Sequence, residues 1–195
     1  MKLFSSLKLK KASGGFTIVE LLIVIVVIGI LAAIVVVAYN GVQKSAQTGS
    51  ITSELKQWEK LFMAYKSING SYPSPAAAPL TDGGPGGSVL NYYCLGTGFP
   101  PVSGTNYCFH VNSTSVWRVA ESTGASLIAQ LSTVGTPPQN SKKYTYGTVV
   151  GPVLVYNSAT NIQLYSTYPG GTACPSGMSY GYGDASRQDC YIQLN

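Results

Sequence analysis

Glu20 is the ionisable side chain whose position most constrains its chemistry. It lies four residues after Phe16, at the N-terminal edge of an apolar stretch whose core, Leu21 to Ala38, has eighteen consecutive apolar residues. At about 1.5 Å rise per residue that run makes roughly 27 Å of helix, close to the ~30 Å hydrocarbon core of a bilayer. An ionised carboxylate at the centre of a membrane helix costs roughly 2.5–3.5 kcal/mol on insertion scales, and less near an interface. The chemistry such a group can do is ion pairing. Snorkelling at the membrane edge is the alternative.

Other residues of chemical interest are sparse. His110 is the sole histidine and has no nucleophile or acid at a recognisable motif spacing, so no catalytic residue is assigned. Gly83-Gly84-Pro85-Gly86-Gly87 lacks the Lys-Ser/Thr of a phosphate loop. Asp184 and Asp189 flank a polar loop, but their spacing fits no calcium loop, and no CxxC suggests zinc; no metal or cofactor is expected. Tyr180, Tyr182 and Tyr191 could stack on sugars, surfaces or single-stranded DNA, or pack at a sheet edge, and the sequence leaves both open.

The flanks of the apolar run say how it is used. Lys2, Lys8, Lys10 and Lys11 precede it with no acid among them, which keeps the first residues cytoplasmic and sends the rest across the membrane. A secretory signal has an apolar stretch of about 7–15 residues followed by small residues at a cut site. Val36-Val37-Ala38 could serve as one, but the run is too long and Glu20 interrupts its start.

The stretch from Lys11 through Gly15-Phe16-Thr17-Ile18-Val19-Glu20 to Ile25, continued by Ile28-Gly29-Ile30-Leu31-Ala32-Ala33-Ile34, resembles the leader and N-terminal helix of type IV pilins and pseudopilins. The close resemblance covers about residues 10–42. It implies a membrane peptidase that cuts between Gly15 and Phe16 and methylates the new amine of Phe16. That amine, with an unperturbed pKa near 7.7–8.0, is largely cationic at neutral pH. Glu20 is four residues along on the same helical face. The resemblance implies that in a filament its carboxylate pairs with the amine of an adjacent subunit, a contact that also fixes register. One departure stands out: Val37 replaces a proline that the family often carries, so a strong kink is less expected. The resemblance further implies a homo-oligomeric filament with other pilins, a prepilin peptidase, an assembly ATPase and a membrane platform protein.

Beyond the membrane segment, Ile51, Leu55, Trp58, Leu61, Phe62, Tyr65 and Ile68 recur at three- and four-residue steps and form one apolar stripe. Lys56, Glu59, Lys60 and Lys66 lie mostly opposite. Asn69-Gly70 with Pro73 and Pro75 ends the helix. Residues 71–88 read as an irregular connection. Strands are expected at Val116–Ala120, Tyr144–Val150, Val153–Tyr156 and Ile162–Tyr165, with a last one at Tyr191–Leu194. Asn157 to Asn161 supplies a hairpin turn, and Ala125–Leu131 a short helix. The fold class is α+β and pilin-like: a long N-terminal helix packed on a small antiparallel sheet of about four strands. The expected partition is a cleaved leader (1–15), a transmembrane or filament-core helix (16–40), an amphipathic half (41–70) and an extracellular β-rich head (71–195).

Outside the cytoplasm Cys94, Cys108, Cys174 and Cys190 can form disulfides, with three pairings to choose from. Cys94–Cys108 and Cys174–Cys190 are favoured because each closes a short loop, worth roughly 3 kcal/mol on the chain-entropy model. Four of the twelve basic residues sit in the first fifteen, leaving eight against seven acidic ones. Such a near-neutral chain argues against strong nonspecific nucleic-acid binding, and nucleic acid stands as an unsupported partner. The reading that follows is a non-enzymatic pilus subunit: a single-pass precursor in the cytoplasmic membrane, N-terminus inside, that becomes an extracellular filament for adhesion, twitching motility or DNA uptake. A pseudopilin of a type II secretion or competence apparatus, or a membrane-anchored adhesin that never polymerises, are the alternatives.

Overall fold

The computed structural model describes residues 15–76, 91–99, 101–102, 105–111, 117–138, 151–183, 185 and 187–195. The chain divides into two compact units, one through Gln43 and one from Lys44 to Asn195. Helix α1 (Ile18–Asn69) belongs to both. It runs unbroken through Gly29, Gly41 and Gly49, as the absence of an internal proline allows, even though each glycine weakens a helix by about 1 kcal/mol relative to alanine. It stops at Gly70, whose positive φ of 76° lets its N–H bond the Lys66 carbonyl at 2.8 Å.

In the first unit the described Ile, Val and Leu side chains between Ile18 and Val42 are exposed on all sides of the helix, with Tyr39 among them. A helix apolar on every face belongs in lipid or inside an assembly, and this one is long and apolar enough to cross a membrane.

In the second unit α1 becomes one-sided. Leu55, Trp58 and Phe62 are fully buried, with Leu61 and Tyr65 packed partly against them. They meet one face of a five-stranded antiparallel sheet of order β1-β5-β6-β8-β7. Its strands are β1 (Tyr92–Cys94), β5 (Val153–Ser158), β6 (Asn161–Pro169), β7 (Ser179–Gly183) and β8 (Arg187–Leu194). Register aligns Leu154, Leu164 and Ile192 across three strands of that inner face. Helix α2 (Ala125–Leu131) closes the core with Leu127 and Leu131. Ile68 departs from the expected stripe: in the last turn of α1 it is 71% exposed, while Lys66 and Tyr65 beside it hydrogen-bond Asn195 and Gln130.

The sheet is larger than expected. The β5–β6 hairpin and α2 fall where the sequence places them, and β8 extends the expected last strand backwards to Arg187. β1 and β7 are additional. A separate three-stranded sheet, β2 (Pro101–Val102), β3 (Thr105–Val111) and β4 (Trp117–Ala120), is also additional apart from β4. Cys94, Phe99, Cys108, Val119 and Val153 form a second small core. Gly151, at φ 87°, is required there, since a Cβ would collide with the Phe99 ring. The expected strand Tyr144–Val150 and most of the 71–88 connection lie outside the described residues.

Candidate assembly site

The N-terminal turn of α1 is built by a local exchange of hydrogen bonds. Thr17 precedes the first helical residue, and its Oγ1 accepts from the Glu20 N–H at 3.2 Å. In return the Glu20 carboxylate accepts from the Thr17 N–H at 2.9 Å and from the Thr17 hydroxyl at 2.8 Å, both on Oε2. This is a capping box: two backbone donors that a helix start leaves orphaned are satisfied reciprocally. The Thr17-x-x-Glu20 spacing ahead of an apolar run is its signal in the sequence, and it gives Thr17 a role beside that of Glu20. Oε1 has no hydrogen-bond partner among the described residues, so the carboxylate keeps an acceptor for a second chain. Negative charge at this end of the helix also matches the macrodipole.

Phe16 is 82% exposed, and an added Cβ at Gly15 would meet nothing within 4 Å. The Gly15–Phe16 bond lies just ahead of the helix, which begins at Ile18. Within the chain Glu20 is tied to Thr17; its pairing with a second chain concerns an assembly and not this single copy.

The remaining sequence candidates fall elsewhere. Cys94–Cys108 and Cys174–Cys190 are both bridged, with Cα separations of 5.6 and 5.7 Å, so the expected pairing holds. Beside the first bridge, the Glu121 carboxylate accepts from the N–H groups of Gly98 and Phe99 at 2.9 and 2.8 Å and fixes the loop after β1. Beside the second, Tyr168 and Ile51 pack on Cys190. His110 lies in β3. Asp189 is buried and accepts from the Thr167 hydroxyl at 2.7 Å, whereas Asp184 and the Gly83–Gly87 segment lie outside the described residues. Among the described residues no group of three or more His, Cys, Asp or Glu side chains could hold a metal ion.

A second carboxylate was not singled out from the sequence. Glu54 sits on the packed side of α1 between Ile51 and Trp58, and burial pushes it up to about 7 from 4.5, with the Trp58 indole opposing part of the shift. Neither Glu54 Oε1 nor Trp58 Nε1 has a partner at hydrogen-bond distance among the described residues.

Residues 10–36 match the family described as the prokaryotic N-terminal methylation motif. The chain is 35% identical over 65 residues to the type II secretion system core protein G of Aeromonas hydrophila, covering 33% of this chain and 46% of that protein. It is 37% identical over 60 residues to the protein of the same name from Klebsiella pneumoniae, covering 31% and 43%. It is 39% identical over 69 residues to the type IV wide pilus major component PilA4 of Thermus thermophilus, covering 35% and 53%. The chain thus spans about half the length of the curated relatives it matches. No solved structure matches it significantly. The capped, exposed apolar helix and these likenesses agree: the chain carries the prepilin-type N-terminal motif and has both type IV pilin and type II secretion relatives.

Proposed function

We propose that this chain is a structural subunit of a type IV pilus, inserted in the cytoplasmic membrane with its N-terminus inside, cut after Gly15, methylated on Phe16 and polymerised through α1. The observation that carries the proposal is a helix from Ile18 to Val42 that is apolar on all sides and opens on one capped carboxylate, Glu20. Once that helix leaves lipid, other copies of itself are the surface that can cover it, and area burial at about 25 cal/mol per Å² favours doing so. The amine freed on Phe16 of one subunit then meets Oε1 of Glu20 on the next, while Oε2 goes on capping its own helix. No chemistry is catalysed; the work is assembly, driven by a peptidase, an ATPase and a platform protein of the kind the resemblance implies.

The second reading is a pseudopilin of a type II secretion apparatus, favoured by the likeness to core protein G. Both readings use the same N-terminal chemistry and differ in what is built. Mass spectrometry of the mature protein should find methylated Phe16 at its N-terminus; a leader still attached sinks both readings. Electron microscopy then separates them, long surface fibres made of this chain supporting the pilus and short periplasmic filaments the pseudopilus. Glu20→Ala should leave cleavage largely intact while sharply reducing filaments, and normal filaments from that variant would remove the pairing role.

A further inference from the structure

The outer face of the main sheet carries a tyrosine layer that assembly through α1 does not use. Register sets Tyr165 of β6 opposite Tyr191 of β8, and their rings stack with centroids 4.8 Å apart and planes at 27°. Toward the sheet edge, a register shift between Tyr180 and Tyr182 puts Tyr182 opposite Asp189, on the same face. Gly181 lets the layer close up, since a Cβ there would stand 2.8 Å from Tyr165 Cε1. Tyr182 is 57% exposed, and the Arg187 guanidinium lies 5.2 Å from its ring centroid. The neighbouring cross-strand pair on this face is Gln163 and Gln193, joined at 2.9 Å.

Charge selects the class of ligand. Among the described residues the face holds one acid, Asp189, bonded to Thr167, and one base, Arg187, set against Tyr182. It therefore has no net charge to match an ionic partner. A single strand of nucleic acid calls for a train of cations along its backbone as well as rings. An apolar peptide calls for exposed aliphatic contacts, whereas the aliphatic residues at this face's register positions, Val153 and Val155, are buried, Val153 in the second small core against which Tyr165 partly packs. Flat aromatic surfaces edged by amide and guanidinium donors suit the C–H faces and hydroxyls of an uncharged sugar ring. We propose that the outer face of β6, β8 and β7, built on Tyr165, Tyr191 and Tyr182, binds neutral saccharides. The inference concerns the head alone and stands whether or not the chain polymerises.

Tyr180 supplies an internal control. It is 59% exposed, as accessible as Tyr182, but pairs with Cys190 on the opposite face. The test titrates maltoheptaose, cellohexaose and chitohexaose into the full chain held in a polyoxyethylene detergent, which carries no sugar, and follows binding by calorimetry. At least one oligosaccharide should bind saturably with an affinity that salt does not change. Tyr182→Ala and Tyr191→Ala should each weaken it roughly three- to tenfold, the range expected for losing one aromatic contact. Tyr180→Ala should leave it unchanged. Circular dichroism and intact disulfides would verify that each variant is folded, and Tyr182, being exposed, is the deciding position. Failure of all three sugars to bind, an equal loss in Tyr180→Ala, or tighter salt-sensitive binding of a short oligothymidylate would overturn the proposal.

Discussion

Glu20 and Thr17 divide the work at the start of α1. The carboxylate caps its own helix and, in the proposed assembly, is also the acceptor offered to a neighbour, so its loss should remove two contributions at once. Thr17 isolates the first. Replacing an N-cap Thr by Ala costs typically ~1 kcal/mol of local helix stability. Thr17→Ala should therefore speed amide exchange over the first turn of α1 while leaving the charge available, and Thr17→Ser should restore protection. Equal exchange in Thr17→Ala and the native chain would show that the box contributes nothing. Glu54 behaves oppositely to a paired acid. Its folded pKa of about 7 lies above the unfolded 4.5, so between those values the folded chain holds a proton that the unfolded chain has released. Stability should fall as pH rises through that window and level off above it. Glu54→Gln should raise the melting temperature at pH 8, change it little at pH 4, and flatten the slope between; calorimetric scans at three pH values would decide.

At the scale of elements, the two bridges do different jobs. Cys94–Cys108 joins β1 to β3 and so links the two sheets, whereas Cys174–Cys190 pins the segment leading into β7 onto β8. Cys190→Ser, paired with Cys174→Ser, should lower the unfolding free energy by about 2–4 kcal/mol, read as a shift in denaturant midpoint. Both pairings were legible in the sequence because each closes a short local loop. So was α2, whose Leu127, Ile128 and Leu131 follow helical spacing. β7 was not: Ser-Tyr-Gly-Tyr-Gly is poor in strand formers, and pairing with β8 is what makes it a strand. β1 is three residues long, too short for any periodicity. The apolar stripe of α1 was legible down to Tyr65, but the sequence could not say that the sheet ends before Ile68. Thr17 was legible in principle, since threonine and glutamate at capping-box spacing stood ahead of an apolar run.

For the molecule as a whole, the two units answer to different solvents. Among the described residues no core cluster draws on a residue before Ile51, so the head has its own interior. A chain of residues 44–195, made in an oxidising compartment, should be a soluble monomer with both bridges and one cooperative unfolding transition. Aggregation of that fragment with unpaired thiols would mean that the head depends on the apolar helix. On the proposed reading, in which the subunit waits in lipid and later stacks with others, one part satisfies itself and the other is satisfied only by company.

The margins of the main sheet give that division a further consequence. One border is β1, three residues long, and the other is β7, five residues interrupted by an irregularity. Among the described residues, neither offers a long straight row of open backbone groups on which a strand from a neighbouring molecule could extend the ladder. In the proposed fibre, crowded heads would thus be spared from zipping together as amyloid does, leaving the greasy rods as the surfaces along which subunits join.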